Sequence, residues 1–229
     1  MDRNYMESVW YAFKQVYDKG LVYRGTKIMP FSTACNTVLS NFEAGSNYKE
    51  VPDPAIIVTF PIAGEQNDTF VAWTTTPWTL PSNLALAVNP KLDYVRWQDT
   101  ATSKIYICMK SRLDYVLKQC KVKGHTVLEE FKGEVLVGKR YEPLFNFFAE
   151  RANDGCFQVL GANFVTSDTG TGIVHCAPGF GEDDYATCVA NGIVQPGHAP
   201  VPIDQDGKFT EAVSTYKGVY IKDADKTII

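Results

Sequence analysis

Three consecutive threonines, Thr74, Thr75 and Thr76, follow the apolar run 69–73 and stop against Pro77. Each hydroxyl can donate one hydrogen bond and accept others, and threonine is at ease in an extended strand. Pro77 ends a ladder because it has no N–H to offer. A row of hydroxyls delivered to a strand end reads as the polar wall of a pocket; the alternative is an edge strand whose threonines cap a turn. Further along, the stretch 170–185, Gly-Thr-Gly-Ile-Val-His-Cys-Ala-Pro-Gly-Phe-Gly-Glu-Asp-Asp-Tyr, sets His175 and Asp184 around one glycine-rich turn. Ile173, Val174, Cys176 and Ala177 suit a buried strand, Gly179 and Gly181 allow a sharp turn, and 182–190 opens a helix with Asp184 in its first turn. Plainer roles stand beside these. Asp184 can complement a helix dipole, His175 can be a hydrogen-bonded core residue, and Asn83 can be a turn residue.

The elements that must position these groups are mainly short strands, expected at 55–61, 69–75, 94–97, 104–109, 134–137, 156–160 and 172–177. Helices are expected at 112–118, 144–152 and 182–190. An amphipathic helix opens the chain: Asp2 or Asn4 can cap it, Val9, Phe13, Val16 and Tyr17 recur at helical spacing, and Gly20 stops it. Many short strands punctuated by Gly and Pro predict a mixed α/β, β-rich domain, a β-barrel decorated by a few helices. Residues 1–53 read as a lead-in segment and ribbon-like stem, and 54–229 as the domain proper with its exit segment.

Composition narrows the function classes. With 45% apolar and 13% aromatic residues the chain is globular. Its apolar runs, such as 55–60 and 84–88, are of strand length, far short of the about 18 residues a spanning helix requires, so no membrane partner is expected. The N-terminal helix does not read as a signal sequence. Six cysteines scattered singly through apolar segments point to free thiols and a reducing compartment. No two of them have the spacing of zinc ligands, and His175 and Cys176 face opposite ways on a strand, so neither a metal nor any other cofactor is expected. A net charge of −4 is not that of a free-standing nucleic-acid binder. Lys118, Lys121, Lys123, Lys132, Lys139 and Arg140 form the best candidate phosphate-contacting face, or simply a solvated one.

The two motifs together resemble the editing domain, the connective insertion, of isoleucyl-tRNA synthetases. Thr76 stands where the valyl and leucyl relatives carry arginine, and Trp78 and Leu80 follow in the isoleucyl manner. The Gly-Thr-Gly…His…Ala-Pro…Gly-Glu-Asp-Asp motif is shared more widely among class I editing domains. The stretches 29–37 and 39–43 look like the lead-in of eukaryotic cytosolic members, and 218–225 like the exit. Cys176 and Phe180 depart from the commoner pattern, where threonine and histidine are frequent, which leaves the pocket's shape open. Neither a His-Ile-Gly-His-type element nor a Lys-Met-Ser-Lys-Ser-type loop is found. The chain is therefore expected to be an excised domain that does not charge tRNA, with Met1 an added start.

The resemblance implies a cytoplasmic hydrolase that clears misactivated valine, as valyl-tRNA(Ile) or valyl-adenylate, while keeping isoleucine out. Its partners would be the aminoacylated 3′ end of tRNA(Ile) and the rest of the synthetase. Asp184 matches the aspartate that binds the substrate ammonium, His175 the histidine that excludes isoleucine, and Thr74, Thr75 and Thr76 the hydroxyl wall. Asn83 matches a polar residue of the same site. Water is the expected nucleophile, since an aminoacyl ester is already activated and positioning with electrostatics can supply the acceleration. A Cys176–His175 pair is the rival, although adjacent strand residues diverge. The run 170–175 half-resembles a dinucleotide fingerprint but has His175 in place of the third glycine. A module that binds aminoacyl-adenosine without turnover is the alternative of a different class.

Overall fold

The computed structural model describes residues 2–229. Helix α1 (Arg3–Asp18) starts where the Asp2 carboxylate accepts the N–H groups of Asn4 and Tyr5, and the chain leaves it through Gly20 at φ +70°. It buries none of its residues and leaves Trp10, Tyr11 and Phe13 exposed. A two-stranded ribbon follows, β1 (Phe31–Ser32) against β2 (Thr37–Val38), then the one-turn α2 (Asn41–Ala44), closed by a reciprocal Ser40–Glu43 capping box. The stem expected before residue 54 is thus a helix plus one short ribbon.

The rest is one strongly curled sheet. Its strands are β3 (Ile56–Pro61), β4 (Asp68–Thr74), β5 (Ala85–Val88), β6 (Asp93–Asp99), β7 (Ile105–Met109), β8 (His125–Lys132), β9 (Gln158–Gly161) and β10 (Ile173–Cys176), in the order β8-β6-β7-β4-β10-β5-β9 with β3 beside β4. β4 is the fork. One edge pairs antiparallel with β3 along its length, while the other is divided between β7 at Asp68–Phe70 and β10 at Trp73, both parallel. Bridges from Ile62 to Tyr141 and from Arg140 to Gln158 carry the sheet from the β3–β4 hairpin round to β9, so it curls on itself as the expected barrel does. Inside lie Phe60, Phe70, Leu84, Leu86 and Ile107, each at most 1% exposed and each stabilising the fold by about 1.5–3 kcal/mol.

The helices lie on the outside and at the ends. α3 (Leu113–Gln119) covers a second small core around Trp97, Cys108 and Val116. α4 (Glu182–Ala190) follows the glycine-rich turn, and α5 (Ile221–Ile228) packs against the 3-10 helix Pro77–Ser82.

Four expectations change. Residues 134–137 are not a strand: Gly133–Leu136 is a 3-10 turn, because the Gly133 and Glu134 N–H groups turn back to the Leu92 and Pro90 carbonyls. A Cβ on Gly133 would meet the Asn89 carbonyl oxygen at 2.2 Å, so this approach needs glycine. Residues 144–152 are not a helix; only Ala149–Asp154 forms a 3-10 helix. Leu144, Phe145 and Phe148 pack on the main core, while Phe147 and Phe148 also meet the separate Phe209–Val213 cluster. β5 and β8 were absent from the expected strands. β5 is central and wholly buried, with no alternation to reveal it, and β8 is an almost fully exposed edge strand whose order comes from pairing with β6. Of the basic residues weighed as a phosphate-contacting or simply solvated face, Lys132 pairs with Asp93, Lys139 with Glu65, and Arg140 donates to the Ala152 carbonyl, as fits the solvated reading.

Candidate functional site

A cleft of about 990 Å³ opens where β4 ends beside β10. One wall is the chain from Trp73 to Thr76 with Trp78 and Thr79; the facing side is His175, the Ala177–Gly181 turn and Asp184, and Ile28–Phe31 and Val201–Gln205 complete the rim. Thr74, Thr75, Thr76, His175 and Asp184 therefore meet in one cavity although they come from two distant stretches. Asn83 does not line it. It lies buried beneath, in contact with His175.

The hydroxyls form a chain. Thr74 Oγ1 accepts the Thr76 N–H at 3.1 Å and lies 3.3 Å from Thr76 Oγ1, which is 3.4 Å from Thr79 Oγ1. Thr79 donates to the Thr76 carbonyl at 2.8 Å and meets His175 Nε2 at 2.8 Å. Thr75, just past the end of β4, is exposed and belongs to the rim. Pro77 begins the 3-10 helix that brings Thr79 back over Thr76. The hydrogen bond from the Trp78 N–H to Asp225 on α5, 2.9 Å, secures that helix from outside.

His175 is held on both nitrogens. Opposite Thr79, its Nδ1 lies 3.3 Å from Asn83 Nδ2, which also donates to the Ala85 carbonyl at 2.9 Å. Asn83 Oδ1 in turn accepts from the Tyr141 hydroxyl at 2.5 Å. Burial lowers the His175 pKa from 6.5 to about 4, so the ring is neutral at physiological pH. The sign for stability follows: the unfolded chain binds a proton near pH 6.5 that the native ring refuses until about pH 4. Stability should fall as pH drops through that window, by on the order of 3 kcal/mol. Thermal melting of the parent and of His175→Gln across pH 4–7 checks this, the variant losing the His175 part of the slope.

Asp184 is half-buried in the first turn of α4, with Oδ2 accepting the Ala177 N–H at 3.0 Å. Burial raises its pKa, the Ala177 N–H pulls it back, and Asp183 adds a smaller push upward. Gly181 is what lets the carboxylate fold back: a Cβ there would stand 2.7 Å from Asp184 Oδ2. Cys176 is a poor rival nucleophile. Burial, followed by Asp184 and Cys188, holds its thiol well above the ordinary range, and its Sγ faces the Val174 carbonyl. Among the described residues no group of three or more His, Cys, Asp or Glu side chains is arranged to hold a metal.

Several site residues were missed by sequence reasoning. Thr79 lies three positions after Thr76, a spacing that a one-turn helix after Pro77 would have flagged. Trp78, stacked edge to face at 4.8 Å on Phe180, the motif position already noted as bearing on the pocket's shape, joins the two walls, and Tyr141 supports the floor. Nothing local marks the last.

The geometry is a neutral histidine, a carboxylate and a hydroxyl row around one cavity, an arrangement able to bind a cationic group and orient water. Relatives named isoleucine–tRNA ligase match along the whole chain. One from Tetrahymena thermophila is 57% identical over 228 residues, covering 100% of this chain and 21% of the relative. The cytoplasmic ligase of Mus musculus is 53% identical over 98% of this chain and 18% of its own. The chain thus spans about a fifth of the length of the curated relatives it matches. Among solved structures, the crystal structure of GlLeuRS-CP1 superposes with a TM-score of 0.56 at 15% identity, over 76% of this chain and 93% of that one. The P. knowlesi cytosolic leucyl-tRNA synthetase editing domain does so with 0.53, also at 15%, over 76% and 91%. Both show the same fold. A family model described as tRNA synthetases class I (I, L, M and V) matches residues 1–158, and the chain belongs to that family.

Proposed function

We propose that this chain is the editing domain of an isoleucine–tRNA ligase, hydrolysing valine from tRNA(Ile) and from the adenylate while refusing isoleucine. The observation that carries it is His175: neutral, 6% exposed and pinned on both ring nitrogens at the wall of a cleft that also holds Asp184. A ring so fixed cannot yield to a larger side chain, because moving it breaks buried hydrogen bonds. Among the described residues Asp184 is the only carboxylate besides Asp204 on that cleft, and it stands ready for a substrate ammonium. The threonine hydroxyls position the ester end and the attacking water.

Residues 1–53 join this domain to the rest of the synthetase, and 54–229 carry the editing fold and its exit. The cytoplasm is the proposed compartment, as in the relatives named cytoplasmic. The test is deacylation of valyl-tRNA(Ile) beside isoleucyl-tRNA(Ile) by the purified chain. Hydrolysis of the first and not the second is expected; tight binding of a valyl-adenosine analogue with no turnover would make the chain a binding module instead.

The wall gives a further expectation. Thr76 is partly buried, lies between Thr74 and Thr79 and lines the cleft, so Thr76→Arg places a long cation in the cavity. Valine clearance should fall at least tenfold, with melting shifted by only a few degrees because no core residue changes. Retained clearance would show that Thr76 does not face the substrate.

A further inference from the structure

Three groups beneath the cleft decide which nitrogen of the His175 ring carries its proton. The Ala85 carbonyl can only accept, so the atom of Asn83 that faces it at 2.9 Å is the amide nitrogen. The amide oxygen then faces the Tyr141 hydroxyl, and Tyr141, wholly buried with its pKa pushed far up by that burial, stays a donor. The same amide nitrogen approaches His175 Nδ1, which must therefore offer a lone pair. The ring proton is left on Nε2, facing Thr79 Oγ1. Because Thr79 accepts there, its own proton goes to the Thr76 carbonyl. Thr79 has one acceptor position left, which Thr76 O–H can fill, and Thr76 Oγ1 can then receive Thr74 O–H.

We propose that Asn83 and Tyr141, neither of which lines the cleft, are positioning residues that fix the His175 ring as its Nε2–H tautomer and so leave the threonine wall presenting lone pairs rather than O–H groups. Such a wall takes ligands rich in donors: an ammonium, a ribose hydroxyl or water. A water molecule that gives its protons to Thr74 and Thr76 turns its own lone pair outward, the orientation an attacking water needs. That last consequence rests on the hydrolytic reading given above; the tautomer does not. The two anchors of the amide also explain what a buried asparagine does here: a group that must donate on one side and accept on the other cannot be replaced by an apolar residue without removing partners from Tyr141, Ala85 and His175 together.

The readout is the side-chain ¹⁵N spectrum of His175, assigned by its loss in His175→Gln. In the parent, Nε2 should carry the proton and Nδ1 should not, at neutral pH. Asn83→Asp places only acceptor oxygens against Nδ1 and should move the proton there, so that Nε2 draws the Thr79 proton off the Thr76 carbonyl. Tyr141→Phe removes the donor to Asn83 Oδ1 and keeps the ring's bulk. It should broaden the His175 signals into exchange between tautomers and lower kcat for valyl-tRNA about fivefold, the rate equivalent of one neutral hydrogen bond, with KM nearly unchanged. A parent ring protonated on Nδ1 overturns the proposal. So does a folded Tyr141→Phe chain with sharp parental signals and parental kcat, which keeps the test decisive if Asn83→Asp fails to fold. A parent that shows the Nε2–H tautomer but deacylates nothing would leave the assignment standing and remove the hydrolytic reading instead.

Discussion

Asp184→Ala is expected to lose valyl-ester hydrolysis by on the order of a hundredfold, since a methyl group cannot replace a charge-assisted bond to an ammonium in a partly desolvated cleft. The fold should stand. The carboxylate makes one internal hydrogen bond, to the Ala177 N–H, and its place in the first turn of α4 contributes only about 0.3–1 kcal/mol. The loss should appear in kcat/KM, with Asp184→Asn nearly as impaired although it keeps the side chain's shape. The acid limb of the parent's profile carries the same signature. Burial raises the Asp184 pKa above 3.8, and the ionised form is the one that binds an ammonium, so activity should fall with decreasing pH at a midpoint above that value. Asp183→Asn removes a neighbouring negative charge and should move the midpoint down. A soluble, normally melting Asp184→Ala chain that clears valine at the parent rate ends the assignment.

His175→Ala is expected to change selectivity before rate. Removing the ring enlarges the cleft on the side that Thr79 and Asn83 now hold closed, and isoleucyl-tRNA(Ile), which the proposed function has the parent refuse, should become a substrate. Stability should also drop, by about 2–4 kcal/mol, because a buried side chain is gone and its partners lose their bonds. The two effects separate in one pair of measurements, the ratio of valyl to isoleucyl deacylation and the melting temperature. A lowered melting temperature with an unchanged ratio would make His175 a core residue and nothing more.

Where the sequence was legible, local pattern and final structure agreed. β3, β4, β6, β7 and β10 are apolar runs bounded by Gly, Pro or charged residues, and α4 opens after Gly181 as its acidic first turn announces. Thr74, Thr76, His175 and Asp184 could be singled out because each lies in a short motif whose residues stay neighbours after folding. Apart from Thr79, whose spacing from Thr76 is local, the misses are those that local pattern cannot carry. The apolar residues of Gly133–Leu136 suit a strand, and only the close approach of Gly133 to Asn89 makes them a turn. Asn83 belongs to the first motif yet faces inward, because the Ala85 carbonyl and Tyr141 claim both ends of its amide. Tyr141 lies 58 positions from Asn83 and reaches it through the bridge to Ile62, a feature of the curled sheet rather than of the chain around it.

The bond from the Trp78 N–H to Asp225 joins residues 147 positions apart. During synthesis the turn that bears Thr79 leaves the ribosome long before α5 does, and the strands of the sheet can pair in the interval. The turn acquires its outer clamp only when Asp225 has emerged. Completion of the cleft is therefore a late event in the life of the nascent chain: the curled sheet can already be standing while the turn above it still lacks its anchor.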